Sequence, residues 1–151
     1  MDADGDFVIV WESVAQDPDG SSGVYAQRFD AAGDPVGGEF RVNTETTGEQ
    51  YNPAAAMDEY GNFVIVWATA GQPLSFFNDI HGQRFDYAGR AIGEEFLVNE
   101  VDIPGTNLGP GSNEVNPAVA LDQDGGFVVA WDVHDVQSNG VVTDSRIIAR
   151  L

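Results

Sequence analysis

One short apolar segment occurs three times in this chain of 151 residues, and its recurrence restricts the possible folds more than any other feature. The copies are residues 7–11, 63–67 and 127–131, and each follows a polar turn that contains glycine. Each copy begins with phenylalanine and ends with tryptophan. The tryptophans are 56 and then 64 residues apart (67 − 11 and 131 − 67). Such a period is typical of an array in which each repeat is one supersecondary unit.

Four segments of a complete repeat have the composition of short β-strands, and we call them strands a, b, c and d. In the second repeat they are residues 54–57, 63–67, 80–85 and 95–98. Valine, isoleucine, phenylalanine and tryptophan favour strands, whereas glycine, aspartate, asparagine and proline separate them. No helix is expected around the alanine run in strand a, because Pro53 and Gly61 leave too little room for one. The first repeat has no strand a, and the third has no strand d.

The four strands differ in size and polarity. Strand a is built of small residues, strand b is apolar on both faces, and strand d mixes apolar with charged residues. A strand that is apolar on both faces is expected between two other layers, and a polar strand is expected at a sheet edge. A small-residue inner strand, a second strand buried on both faces and a polar outer strand are typical of a propeller blade. The sequence therefore predicts an all-β chain of three partial, four-stranded antiparallel blades of β-propeller type, with an open β-solenoid or a β-sandwich as alternatives.

The repeats also predict the domain organisation. We expect a single repeat domain over residues 1–151, with units at about 1–50, 51–114 and 115–151. Two and a half blades cannot close a ring, since closed propellers have at least about four blades. The chain is therefore expected to be part of a larger array, or to self-associate through its open strand edges, because unpaired edges favour pairing.

The charge of the chain limits its possible partners. It has 25 acidic and 6 basic residues, and its formal net charge is −19. Such a surface repels nucleic acid and anionic lipid, so we expect no nucleic acid partner. Membrane insertion is not expected either, because the apolar runs are too short to cross a bilayer. Cysteine is absent, which excludes disulfides and thiol chemistry.

Several repeated phrases carry a resemblance to a known group of proteins. They are residues 23–30 (Gly-Val-Tyr-Ala-Gln-Arg-Phe-Asp), 37–43 (Gly-Gly-Glu-Phe-Arg-Val-Asn) and 124–131 (Asp-Gly-Gly-Phe-Val-Val-Ala-Trp). This pattern resembles tandem repeats of large bacterial proteins of the haemolysin-type calcium-binding (RTX) and adhesin kind. The resemblance implies a secreted or cell-surface module of a large modular bacterial protein that is propeller-like, and it does not imply a catalytic activity. The glycine-aspartate nonapeptide that binds calcium in those proteins is absent here.

Aspartates around the turns are the candidate metal ligands. Alternating carboxylates on a tight glycine turn can converge on Ca²⁺, which prefers six to eight oxygen ligands. A loop with the pattern Asp-Pro-Asp-Gly is a second candidate, although it lacks the glutamate that completes an EF-hand. The alternative is that these residues only form turns, which aspartate and glycine favour without a metal. The candidate ligands are Asp2, Asp4, Asp6, Asp17, Asp19, Asp122 and Asp124.

Other repeated side chains have both a structural and a functional interpretation. Trp11, Trp67 and Trp131 could stack on sugars, but an aromatic residue that ends an apolar strand favours core packing. Three arginines at equivalent positions are expected to make ion pairs or hydrogen bonds to carbonyl groups of the neighbouring blade, with anion binding as the alternative. These arginines are Arg28, Arg84 and Arg150.

We therefore expect a non-catalytic repeat module for structural or adhesive binding of protein or carbohydrate, with calcium as the candidate stabilising ion. The alternative is a propeller-type enzyme that acts on glycosides. His81 and His134 do not align with each other, and no motif for a nucleophile or a catalytic zinc ion is present. Acidic residues are numerous, but no pair stands out as the two carboxylates of a glycosidase.

Overall fold

The computed structural model describes residues 1–71, 78–99, 112–136 and 142–150. Within these ranges the chain forms ten β-strands and no helix, so no helix there could span a bilayer. The prediction of an all-β chain is confirmed. The strands are β1 (Phe7–Val14), β2 (Ser22–Phe29), β3 (Pro35–Arg41), β4 (Glu49–Met57), β5 (Phe63–Ala70), β6 (Asp79–Phe85), β7 (Ala91–Leu97), β8 (Ser112–Leu121), β9 (Phe127–Val136) and β10 (Val142–Arg150).

The strands form three antiparallel sheets, one for each repeat. The first sheet has the order β1-β2-β3, the second β4-β5-β6-β7 and the third β8-β9-β10. The second sheet contains all four predicted strands, and its neighbours lack strand a and strand d respectively, as predicted. Equivalent residues pair in the same register, since Phe7 faces Phe29 and Phe63 faces Phe85. The described sheets are therefore one complete and two partial blades of the same design.

The predicted bounds of strands a and d were wrong. Strand a begins at Glu49 and not at residue 54, because the chain passes through Pro53 by an irregularity in the ladder between Tyr51 and Ala54. Asn52 there has a φ of 50°, a left-handed conformation that asparagine tolerates better than most residues. A bulge of this kind leaves extra residues unpaired and lets the pairing resume beyond them. Strand d spans residues 91–97 and not 95–98.

Each sheet has two chemically different faces, because side chains alternate along strand b. On one side of the second sheet lie Phe63, Ile65 and Trp67, and we call the equivalent side of every sheet its large-residue face. On the other side lie Val64 and Val66, and we call the equivalent side the small-residue face. This difference decides how the sheets stack.

The second sheet lies between the other two. Its large-residue face packs on the small-residue face of the first sheet, where Ile65 and Trp67 share a core with Val24 and Ala26. Its small-residue face packs on the large-residue face of the third sheet, which contributes Trp131. Both interfaces therefore pair unlike faces. The prediction that strand b has two buried faces is confirmed for β5, in which residues 63–69 are all buried.

One face of each flanking sheet is left open among the described residues. Ile9 on the large-residue face of the first sheet is 47% exposed, whereas its equivalent Ile65 is fully buried. Ala118 and Ala120 on the small-residue face of the third sheet are also exposed. The outer strands β3 and β7 carry mostly exposed residues, as predicted for strand d.

Candidate functional site

Three equivalent aspartates close the turns that precede β1, β5 and β9. In the second turn, Oδ1 of Asp58 accepts hydrogen bonds from the backbone N–H groups of Tyr60 and Asn62, both at 2.9 Å. Asp2 and Asp122 make the same pair of bonds at 2.8–3.0 Å. An aspartate that bonds the backbone two residues onward is a common way to stabilise a turn. One oxygen of Asp2 and one of Asp122, both predicted metal ligands, therefore have a structural role.

The three turns converge on one open cavity of about 640 Å³. A backbone hydrogen bond of 3.2 Å from Ala3 to the carbonyl oxygen of Glu59 connects the first turn to the second. Ionised carboxylates only accept hydrogen bonds, so this cavity suits cations and ligands that are rich in hydroxyl or amine donors. The carboxylates that line it belong to Asp2, Asp58, Glu59, Asp122 and Asp124.

The structure brings three of the seven predicted metal ligands to this cavity: Asp2, Asp122 and Asp124. Asp4 and Asp6 do not line it, and Oδ1 of Asp6 accepts a hydrogen bond of 3.0 Å from the backbone of Ala31 instead. Across the described ranges, no three histidine, aspartate or glutamate side chains are grouped so that they could hold one metal ion. Calcium binding stays a prediction.

Asp17 lies elsewhere, in a buried polar network between the first and second sheets. The residue is 4% exposed and accepts hydrogen bonds from Asn43 at 2.7 Å and from the Tyr25 hydroxyl at 3.1 Å. Asn43 also donates to Oε1 of Gln50 on β4 at 3.0 Å. Burial, with the added effect of Asp17, raises the pKa of Tyr25. Asp17 therefore has a structural role, because it holds Asn43, which makes the hydrogen bond to the second sheet.

Asp19, the other aspartate of that loop, is exposed. Its carboxylate accepts hydrogen bonds from the Ser21 hydroxyl and backbone and from the backbone of Gly48, and these bonds lower its pKa. Asp19 and Asp17 thus lie in one loop but have different partners, and neither lines the cavity at the three turns.

The second and third sheets contain an equivalent network with different residues. Asn99, the counterpart of Asn43, donates to Oδ1 of Asp79 at 3.0 Å. Asp79 is aligned with Gly23 in the first repeat. A Cβ atom on Gly23 would lie only 2.5 Å from Oδ1 of Asp17, so the loop residue Asp17 occupies the space that a strand side chain fills in the second repeat.

Glu114 completes this second network at the position that Gln50 occupies in the first. Its side chain is 5% exposed, and its Oε2 atom is buried without a hydrogen-bond partner among the described residues. Burial raises the pKa of Glu114 to about 8; the charge of Asp79 adds to this effect, and a hydrogen bond with Asn99 opposes it. Glu114 is therefore largely protonated at neutral pH in the folded chain.

The predicted roles of the arginines and tryptophans are partly confirmed. The guanidinium of Arg28 donates to the carbonyl oxygen of Tyr87, in the turn between β6 and β7 of the neighbouring blade, as predicted. Trp67 and Trp131 are 0% and 3% exposed and pack in the two cores, whereas Trp11 is only partly buried. The prediction for Arg150 lies outside the described side chains.

His81 and Glu95 connect the first two sheets. Nδ1 of His81 lies 2.9 Å from Oε1 of Glu95, whose other oxygen accepts two hydrogen bonds of 2.7 Å from Thr44 of the first repeat. Burial raises the pKa of Glu95, but the hydrogen bonds from His81 and Thr44 outweigh this effect, so the pKa is lowered overall. His81 thus helps to hold the carboxylate of Glu95, which makes the contact with the first repeat.

The residues that join the sheets were not predicted from the sequence. A signal was present, since Asn43 and Asn99 recur at the end of the strand d phrase. The change from Gln50 to Glu114 is a second signal, because it stands two residues before a repeated Asn-Pro pair. Gln50 and Glu114 are both more than nine-tenths buried, and the alignment of the repeats does not indicate this burial.

Comparisons with known proteins identify no relative by sequence: no family model matches the chain, and no curated protein matches it. Two solved structures, those of the GH43 protein BlXynB from Bacillus licheniformis and of a mutant of it, align with 91% of this chain at 13% identity. Their TM-scores are 0.45 and 0.48 respectively. The chain spans 28% of the length of these structures.

Proposed function

We propose that this chain is a non-catalytic repeat module of a secreted or cell-surface bacterial protein, used for structural or adhesive binding of protein or carbohydrate. The supporting observation is the construction of the acidic cavity from three copies of one turn. Asp2, Asp58 and Asp122 occupy equivalent positions in it and make equivalent backbone hydrogen bonds. A surface built by repetition suits a binding or scaffold role better than catalysis.

The position of the buried Glu114 bears on the alternative of a glycoside-acting enzyme. Hydrolysis of glycosides needs two carboxyl groups whose environments push their pKa values apart at one accessible site. Among the described residues, the carboxyl group whose pKa is strongly raised is that of Glu114. Glu114 is buried between two sheets and does not line the cavity. It therefore cannot serve as the acid of a reaction there.

The proposed location and the proposed role of calcium rest on the sequence. The repeated phrases resemble those of secreted and surface bacterial repeat proteins, and a net charge of −19 suits an environment that contains divalent cations. Of the predicted ligands, Asp2, Asp122 and Asp124 line the cavity, but no three described side chains are grouped as one metal site, so a stabilising Ca²⁺ ion there would take one or two of these carboxylates and complete its shell with water.

A carbohydrate array and a panel of chromogenic glycosides test the proposed function together. We expect binding without turnover, and we expect Glu59→Gln and Asp122→Asn to weaken it. The matched control is Asp34→Asn, because Asp34 is exposed and lies outside the cavity. Turnover that Asp122→Asn abolishes would refute the non-catalytic proposal. An absence of both binding and turnover would exclude a carbohydrate partner from this panel and leave the structural role.

Calcium is tested by thermal unfolding in millimolar CaCl₂ and in EDTA, with MgCl₂ as the control cation. An ion present at about 100 times its dissociation constant stabilises the folded state by about 2.7 kcal/mol, which would raise the melting temperature. Asp124→Asn should reduce this effect, because Asp124 lines the cavity and the variant leaves the hydrogen bonds of Asp122 in place. Equal melting temperatures in CaCl₂ and EDTA would count against a calcium site.

A further inference from the structure

The open large-residue face of the first sheet carries Phe7, Ile9 and Trp11. Ile9 is 47% exposed, and Phe7 stacks on Phe29 with 5.2 Å between ring centroids. Ile9 is exposed and Phe7 and Trp11 are partly exposed, and adjoining apolar side chains that remain accessible can mark an interaction surface. The repeat itself indicates what this surface accepts.

The equivalent face of the second sheet is covered by another repeat of the same chain. Phe63, Ile65 and Trp67 are at most 2% exposed because the small-residue face of the first sheet lies on them. The large-residue face of the third sheet is covered in the same way by the second sheet. Both interfaces within the described chain thus place a small-residue face against a large-residue face.

The chain also presents an open small-residue face, on the third sheet. Its residues are Ala118, Ala120, Val128 and Ala130. Ala118 and Ala120 are exposed, whereas their equivalents Ala54 and Ala56 in the second sheet are partly buried against the third sheet. The two ends of the stack therefore carry the two halves of an interface that the chain already contains twice.

We propose that the large-residue face of the first sheet binds the small-residue face of the third sheet of a second copy of this chain, in a head-to-tail arrangement. The contact continues the stacking order that the three sheets already follow, so it needs no new type of interface. Because the two surfaces differ, the contact is heterologous and either closes a ring or propagates. Two copies joined at both ends would form a ring of six sheets, within the range of closed propellers.

The charge of the chain opposes this association and makes it dependent on salt. Two copies with a formal net charge of −19 each repel one another at long range. At about 0.5 M salt the Debye length falls below the ~8 Å of physiological ionic strength, and the repulsion is screened. The apolar contact between the faces does not depend on charge, so added NaCl should strengthen the association.

Sedimentation velocity of the full chain tests the proposal, at concentrations from about 10 μM to about 1 mM and at about 0.15 M and 0.5 M NaCl. We expect a two-chain or larger species that forms more readily at the higher salt concentration. Ile9→Asp on one face and Ala118→Arg on the other should each weaken association at least tenfold. The matched control is Ile92→Asp: Ile92 is 43% exposed but belongs to the second sheet, so its substitution should leave association unchanged. A melting curve at low concentration checks that each variant folds.

A mixture of Ile9→Asp and Ala118→Arg distinguishes association through the sheet faces from association through open strand edges. The chain with Ile9→Asp keeps its small-residue face, and the chain with Ala118→Arg keeps its large-residue face. An equimolar mixture should therefore form a two-chain complex that neither variant forms alone. The proposal is overturned if the unmodified chain stays monomeric at about 1 mM, if Ile9→Asp associates as the unmodified chain does, or if the mixture stays monomeric.

Discussion

The first interface has glutamine at position 50 where the second has glutamate at position 114, and this difference predicts how the stability of the chain depends on pH. In the first interface Gln50 accepts a hydrogen bond of 3.0 Å from Asn43, whereas in the second Glu114 has a buried oxygen without a partner among the described residues. We expect Glu114→Gln to stabilise the chain at alkaline pH and to remove most of the pH dependence of its stability near neutrality. The variant places at position 114 the same residue type that occupies the equivalent position 50.

The size of the effect follows from the pKa of Glu114, which is about 8 in the folded chain against an ordinary value of 4.5. A group whose pKa is raised by folding stabilises the folded state fully below the ordinary value, and this contribution is lost as the pH rises through the folded value. Each unit corresponds to about 1.36 kcal/mol, so the free energy of unfolding should fall by at most about 5 kcal/mol over the whole titration of Glu114, and most of this decrease lies between pH 4.5 and 8. The Glu114→Gln chain should lack this decrease.

The assay is urea unfolding followed by tryptophan fluorescence, at intervals from about pH 5 to about pH 9. Five described carboxyl groups have lowered pKa values, so the stability that they contribute is lost only as the pH falls below this window. These groups are Asp19, Glu45, Glu49, Asp86 and Glu95. His81 and His134 are common to both chains, so the difference between the two pH curves isolates Glu114.

Gln50→Glu is the matched reciprocal variant. It places a carboxyl group near Asp17, as Glu114 is placed near Asp79, and should introduce a decrease of stability with rising pH of similar sign. The reasoning is refuted if the unmodified chain and Glu114→Gln lose stability in parallel between about pH 5 and about pH 9. It is also refuted if Gln50→Glu changes neither the stability nor its slope with pH.

Two further predictions compare equivalent or matched positions by urea unfolding at low protein concentration. Trp67→Ala should lower the free energy of unfolding by about 3–5 kcal/mol because Trp67 is fully buried. Trp11→Ala should lower it clearly less, because Trp11 is only partly buried. Equal decreases would contradict the stacking order of the sheets. Gly23→Ala should destabilise the chain by about 1–3 kcal/mol, because the added methyl group would lie 2.5 Å from an oxygen of Asp17. Gly38→Ala should have almost no effect on stability, since a Cβ atom there has no neighbour within 4 Å. Comparable effects of the two glycine substitutions would show that Asp17 does not hold its position firmly.

The fold was predictable where one pattern was repeated and each copy supported the others. The apolar segment at residues 63–67 indicated a strand buried on both faces, and β5 is such a strand. Its flanking copies have the same composition but only one neighbouring sheet each, so Trp11 is less buried than Trp67. The bounds of strand a were missed because Pro53 normally ends a strand, and the irregularity beside Asn52 is a property of the paired backbone.

The candidate site was less predictable, because its chemistry depends on burial and on contacts between repeats. Asp17 and Asp19 read as one acidic loop in the sequence, yet one is buried beneath Asn43 and the other is exposed. The convergence of Asp2 and Asp122 on one cavity depends on how the sheets stack, which the spacing of the repeats does not encode. Glu114 attracts attention only once its low exposure is known.

The position of the second sheet between two neighbours has a consequence for how the chain unfolds. The strand β5 is shielded from solvent only while both flanking sheets are folded. The unfolding of either flanking sheet therefore exposes one whole face of β5. In a linear array of this kind each unit is stabilised mainly by its nearest neighbours. Unfolding should therefore begin as fraying at the outer sheets, and the amide protons around Val66 should be the last to exchange with solvent.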